Sequence, residues 1–202
     1  MTPESIVELN KLDKTLGKLI KKVGPMKLKP QVKQSPYQAL VEAVIYQQLT
    51  GKAAATILGR VKALFPKKKF PKPIDLLETP DDALRTAGLS RAKTAALKDI
   101  ASKTLNGTVP TTRLISKMND EEIIEKLTSI RGVGRWTVEM LLIFKLGRPD
   151  VLPATDYGIR KGFALTYGKK QLPQPKELLE FGLRWKPHRT TACWYLWRSL
   201  DL

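Results

Sequence analysis

The sequence predicts an all-α fold of roughly ten helices in two lobes, and three observations carry that reading. Helix-start signals recur along the chain, each a Ser, Thr or Asn followed by Pro or by acids. Apolar residues between them return at helical spacing. Alternating runs of β-branched residues, the mark of strands, are nearly absent.

After an N-terminal helix, "SPYQALVEAVIYQQL" offers Ser35 as N-cap, Pro36 at the first helical position and Gln38 as capping-box partner. "GKAAATILGRVKALF" is a helix from Lys52 to Phe65, closed by Pro66, and "PKKKFPKP" is a basic, solvated loop. In "TPDDALRTAG" Thr79 is the expected cap, Pro80 the first helical residue and Gly88 the stop. A longer helix runs from Ser90 to about Leu105. "NDEEIIEKLTSI" follows, with Asn119 as cap and Glu122 as its partner. A turn "SIRGVG" leads to a helix from Arg135 to Lys145. The turn "GRPD" and the extended "VLPAT" then cross to "DYGIRKGFALTYG", again helical. "QPKELLEFGLRW" and "PHRTTACWYLWRSL" are two closing helices, each opened by a proline. Helices before the "VLPAT" crossing form one lobe of a single domain, about residues 36–150 with a helical hairpin at 119–145. Those after it join the first residues in the other lobe, about 1–35 plus 151–202.

Charge narrows the function. The 202 residues carry 36 Lys and Arg against 19 Asp and Glu, a net +17, and 42% are hydrophobic, so a core is affordable but the surface repels itself. Such an excess calls for an anionic partner, nucleic acid first and an acidic membrane surface second; a lysine-rich solubilising surface is the plain account. No apolar run approaches the roughly 20 residues of a membrane span. The start "MTPESIVELN" lacks the pattern of a secretory signal. One cysteine, Cys193, leaves no intramolecular disulfide, no iron–sulfur cluster and no cysteine-built zinc site. One histidine, His188, excludes a multi-histidine metal site and reads as a surface or cap residue, while Cys193 reads as core. These features predict an intracellular protein that is not secreted.

The segment "LTSIRGVGRWTVEMLLIF" sets two glycines where one helix ends and another begins. Gly132 can take a positive φ, and Gly134 removes a side chain where another backbone can approach. The free amides of a helix N-terminus suit an anion, so a DNA phosphate fits against this turn without any reading of base sequence. A tight turn between two packed helices accounts for the same spacing.

The segment resembles the helix–hairpin–helix of the HhH-GPD superfamily of DNA glycosylases. Leu127, Ile130, Gly132, Val133 and Gly134 carry the spacing, while Val138 stands where a small residue is usual. "DVLPATDYGIRKGF" is similar to the loop that delivers that family's aspartate, here Asp156. "VEAVIYQQLTGKAA" and "RWKPHRTTACWYLWRSL" resemble the early and closing helices of the alkylpurine branch, the 3-methyladenine glycosylase II type. The resemblance covers about Ser35 to Leu202 and implies a two-lobed helical glycosylase fold with the active-site cleft between lobes.

What the resemblance implies for chemistry follows residue by residue. Breaking an N-glycosidic bond leaves positive charge on the sugar, which an ionised Asp156 stabilises while it orients water. By its place before a helix Asp156 reads as an N-cap, with Thr155 as the alternative cap; capping and catalysis are compatible. Trp136, Met140, Trp197 and Tyr46 line the base pocket and stack on an electron-poor ring; tryptophan serving as core is the rival account, preferred for Trp185 and Trp194. Leu49 is the wedge that fills the gap left by a flipped base, with Gln48 beside it, although a core leucine at a helix end fits the same place. Gly132, Gly134, Arg135, Lys52 and Lys161 meet phosphates. Backbone carbonyls of Thr128, Ile130 and Val133 hold a structural sodium or potassium ion, and no other cofactor is implied.

Members that also cut the strand carry a lysine where this chain has Trp136, so a monofunctional enzyme is implied, leaving an abasic site in an intact strand. The implied partner is double-stranded DNA with damaged bases, met by a monomer. The implied place is the cytoplasm and nucleoid of a prokaryote or the nucleus of a eukaryote. Two other readings stand beside this one. A glycosylase for deaminated or etheno purines or mismatched bases differs only in pocket shape. A non-catalytic DNA-binding module needs neither Asp156 nor a tryptophan-lined cavity.

Overall fold

The computed structural model describes residues 3–31 and 34–202, which form helices and turns with no strand among them. Part of the expected lobe 1–35 thus falls outside the described residues, at 1, 2, 32 and 33. The helices are α1 (Pro3–Leu12), α2 (Lys14–Val23), α3 (Pro36–Tyr46), α4 (Gly51–Ala63), α5 (Pro73–Glu78), α6 (Asp81–Thr86) and α7 (Arg91–Leu105). They continue as α8 (Thr112–Ile115), α9 (Asp120–Thr128), α10 (Arg135–Phe144), α11 (Tyr157–Thr166), α12 (Pro175–Phe181) and α13 (Arg189–Arg198). Single 3₁₀ turns, Gly182–Trp185 and Ser199–Asp201, precede and follow α13. No helix among the described residues is long and apolar enough to cross a membrane.

The start signals act as read at most helices. Ser35 accepts the Gln38 amide at 3.2 Å, and Asn119 and Glu122 form a reciprocal capping box on α9. Three expectations change. The Gln38 side chain does not return to the cap; it donates to Glu42 at 3.1 Å, one helical turn on. Thr79 does not start α6, because α5 occupies the residues before it; Thr79 ends α5, donates to the Asp75 carbonyl at 2.7 Å, and Pro80 takes the N-cap position. The basic loop is also anchored. Phe70 packs edge-on against Tyr37 at 5.9 Å, and Lys68 meets Asp75 at 2.5 Å.

Contacts divide the chain into two units, Met1–Gln31 with Leu142–Leu202, and Val32–Leu141. In the second unit α7 is the central helix, with α3, α5 and α6 against it and α4 against α3. Its faces bury Leu97, Ile100 and Ala101 with Leu40, Val44 and Leu76.

The first unit gathers around Leu9, Leu16, Ile159, Phe163, Trp185 and Leu196. Its N-terminal segment is two helices rather than one, because Asp13 breaks it. Asp13 adopts an extended backbone, φ −142°, and its Oδ1 accepts the amides of Thr15 at 3.1 Å and Leu16 at 3.0 Å. Its Oδ2 accepts the Tyr167 hydroxyl at 2.6 Å and the Trp185 indole N–H at 3.0 Å. One carboxylate thus starts a helix and satisfies two donors from the distant end of the chain. Trp185 is core, as expected, and so is Cys193.

Burial works to raise the pKa of Asp13. The Leu16 amide, the Tyr167 hydroxyl, the Trp185 indole and the nearby Arg184 outweigh it and hold the carboxyl below its ordinary value. Its stabilising contribution is therefore present above the unfolded value near 3.8 and is lost as pH falls through the lower folded value. Asp13→Ala removes the cap and leaves buried donors unmet, a loss of about 2–4 kcal/mol at neutral pH. Thermal melts should show a lowered Tm for the variant at pH 7, with the gap to wild type narrowing once the pH drops below about 4.

Candidate active site

The expected turn joins α9 to α10, whose last residues, from Leu142, belong to the first unit. The turn is fixed by amides of Ile130 and Val133 donating to the carbonyls of Leu127 at 3.2 Å and Ile130 at 3.1 Å. Ile130 and Val133 are buried beneath it. Gly132 has φ +76°, a conformation that disfavours any side chain, and a Cβ there would stand 3.0 Å from Ala96. A Cβ on Gly134 would meet nothing within 4 Å, so the turn is open at that point. A third amide of the turn is also engaged, since Arg131 donates its N–H to Asp99 at 2.7 Å. Val138 is fully buried and is accommodated in the packing of α10.

The side chains expected to meet DNA are placed unequally. Lys52, in the first turn of α4, is exposed, as is Lys161 on α11. Arg135 is exposed but paired, with Glu121 at 2.7 and 3.1 Å and Glu139 at 3.1 Å. The Glu121 hydrogen bonds, chiefly, raise its pKa further above an arginine's usual value. Trp136 opens α10 with 43% of its surface exposed, Met140 lies one turn on and is half-buried, and Tyr46 at the end of α3 is exposed. The carbonyls of Thr128, Ile130 and Val133 lie at or just beyond the C-terminal end of α9. Uncharged oxygens at the negative end of a helix suit a hard monovalent cation. No group of three or more His, Cys, Asp or Glu among the described residues could hold a metal.

The turn from α3 to α4 carries Gln48 and Leu49. Gln48 has φ +56°, a left-handed conformation that costs a non-glycine residue on the order of 1 kcal/mol or more. Leu49 is 39% exposed rather than sequestered in the core. Two side chains that the sequence did not single out hold this turn. Lys93 donates its ammonium to the carbonyls of Ile45 at 2.8 Å and Gln47 at 2.7 Å, and burial lowers its pKa. The Gln47 amide donates to the Gly132 carbonyl at 3.0 Å and the Thr137 hydroxyl at 3.3 Å. Nothing in the spacing of residues 45, 47, 93 and 132 announces these bonds.

In the first unit, Asp156 is half-buried at the N-cap of α11, and Thr155 does not cap. Its Oδ1 accepts the Ile159 amide at 2.8 Å and the Trp197 indole N–H at 2.9 Å. Trp197 in turn stacks on Phe144, centroids 5.7 Å apart and 28° between planes. One face of that indole is therefore covered from within the unit, and its N–H is directed at the carboxylate. Trp194 is half-buried and packs against the edge of the core, edge-on to its neighbour Tyr195 at 4.9 Å, rather than in the core. His188 takes the N-cap position of α13 and meets Glu8 at 2.6 Å. A carboxylate fixed at the positive end of a helix can stabilise a cation formed beside it and align a water for attack.

A family profile described as HhH-GPD superfamily base excision DNA repair protein matches residues 41–188. The chain belongs to that superfamily. It is 39% identical over 197 residues to DNA-3-methyladenine glycosylase 1 of Schizosaccharomyces pombe, covering 97% of this chain and 86% of that protein. Its structure is similar to that of the Schizosaccharomyces pombe 3-methyladenine DNA glycosylase (Mag1) solved in complex with abasic-DNA. The TM-score is 0.90 at 38% identity, over 98% of this chain and 97% of that one. A DNA-3-methyladenine glycosidase from Bacillus halodurans matches with TM-score 0.87 at 35% identity, over 98% of this chain and 89% of that one.

Gly162 lets α11 approach α13 closely enough for Trp197 to reach Asp156. A Cβ there would collide with the Leu196 carbonyl and the Ser199 hydroxyl. Gly162→Ala should lower the unfolding free energy by about 3 kcal/mol, read as a reduced denaturant midpoint.

Proposed function

We propose that the protein is a DNA glycosylase that excises alkylated purines of the 3-methyladenine and 7-methylguanine type from duplex DNA in base excision repair. The observation that carries this reading is the Asp156 carboxylate, fixed at the start of α11 by the Ile159 amide and the Trp197 indole. As the glycosidic bond lengthens, its electron pair leaves with the base and the sugar becomes cationic. Asp156 stabilises that cation and orients the water that adds to it. An alkylated purine departs readily because its ring already carries positive charge, so no strong general acid is needed. The chain's single histidine, engaged with Glu8, fits that economy.

Placement and membership of the superfamily support the remaining roles. In the second unit Trp136, Met140 and Tyr46 offer flat or polarisable surface on which a ring can stack; in the first, Trp197 lies beside Asp156. Leu49 enters the vacated stack and Gln48 meets the strand beside it. The open turn at Gly132 and Gly134 takes a phosphate, assisted by the exposed Lys52 and Lys161; Arg135 joins them by exchanging Glu121 for phosphate. Thr128, Ile130 and Val133 would hold a sodium or potassium ion, which steadies the turn electrostatically. Trp136 brings no amine to the position where a Schiff base would form, so the strand stays intact. The protein acts as a monomeric single domain on DNA inside the cell, and the high positive charge makes its binding salt-sensitive.

The decisive assay incubates the protein with methylated DNA and chromatographs the released bases. Wild type should free 3-methyladenine or 7-methylguanine and break strands only after alkali. Asp156→Asn should reduce release by about a thousandfold while still binding duplex DNA. Retained release in that variant removes Asp156 from the chemistry. Trp197→Phe keeps an aromatic ring against Phe144 and loses the N–H, so a fall of about tenfold in the single-turnover rate with unchanged DNA affinity is expected.

A further inference from the structure

The α3–α4 turn has no hydrophobic footing of its own. Gln48, Leu49 and Thr50 are all exposed, and Gln48 sits in a left-handed conformation. A turn in that state relaxes unless its flanks are tied down. The α4 flank is held by Thr50, whose hydroxyl accepts the Ala53 amide at 3.3 Å, and the α3 flank is tied twice, within the same unit. In the first tie the Lys93 ammonium, from the first turn of α7, bonds the carbonyls of Ile45 and Gln47 at 2.8 and 2.7 Å. Both carbonyls lie where α3 ends and its intrahelical bonds run out. In the second the Gln47 amide reaches the Gly132 carbonyl in the hairpin turn and the Thr137 hydroxyl in α10. Lys93 is therefore not offered to phosphate: its charge is directed inward at backbone oxygen.

We propose that Lys93 and Gln47 are positioning residues that brace the Leu49 wedge against the hairpin, so that force from the base stack is carried into α7 and α10 rather than lost in turn motion. This rests on the reading of Leu49 as the wedge. A base leaving a paired duplex pushes back on whatever replaces it. A wedge on an unbraced turn yields. The brace also ties wedge to clamp, because the residue that Gln47 holds, Gly132, belongs to the turn proposed to take the phosphate.

The test compares single-turnover release of 7-methylguanine from two duplexes, one with cytosine opposite the lesion and one with an abasic site opposite it. The second is already unpaired and asks little of a wedge. Lys93→Met keeps the aliphatic stem and removes the donors; it should slow release from the paired duplex about tenfold and leave the unpaired duplex within about twofold. Gln47→Ala should do the same in smaller measure, and it carries the test if the lysine variant melts early. Leu49→Ala should show the same selective loss, and Lys93→Met added to it should change nothing further. Equal losses on both duplexes, or additive losses in the double variant, overturn the brace. If Leu49→Ala spares the paired duplex, the wedge assignment itself falls and the brace with it. A wild type that releases no base from either duplex, and neither 3-methyladenine nor 7-methylguanine from methylated DNA, overturns the glycosylase reading instead.

Discussion

A carboxylate keeps one orientation only when donors hold its oxygens, and the chemistry proposed for this protein needs an oriented carboxylate. Two of the hydrogen bonds that hold Asp156, both accepted by Oδ1, differ in origin. The Ile159 amide is local, three residues on, and comes with the helix start itself. The Trp197 indole comes from another helix and depends on tertiary packing. The second bond needs α11 and α13 in close approach, which the missing side chain of Gly162 permits, and it needs the indole held by Phe144. Much of the first unit can be understood as support for that pair.

The same device appears at Asp13. There too a carboxylate caps a helix and accepts an indole N–H, but the indole goes to Oδ2, the oxygen not used in capping, which also accepts the Tyr167 hydroxyl in a packed aromatic cluster. Two capping aspartates serve different ends because of what surrounds them. Asp13 is sequestered and contributes stability. Asp156 is half-buried, with exposed residues Thr155 and Tyr157 on either side of it.

In the second unit the two turns of interest are held in different ways. The hairpin turn is seated on Ile130 and Val133, but the α3–α4 turn is held by an ammonium and an amide. Charge at the surface is also less available than its total suggests. Arg135 is neutralised by Glu121 and Glu139, Lys68 by Asp75, and Lys93 faces backbone carbonyls. The +17 excess is real, yet individual basic residues differ in whether they can meet a phosphate.

The sequence by itself determined the helices, their caps, the hairpin turn and the aspartate at the head of α11, because these depend on residues three or four apart. Ser35, Asn119 and Asp156 cap as their spacing foretold. It misjudged Thr79 and passed over α5 and α8, where short helices leave too few turns for a periodic signal. Only the tertiary structure decided that Trp197 directs its N–H at Asp156, that Asp13 divides the N-terminal segment while bonding Tyr167 and Trp185, and that Lys93 and Gln47 hold the α3–α4 turn. Those bonds join residues far apart in the chain. Their geometry is set by how helices pack, which no local pattern encodes.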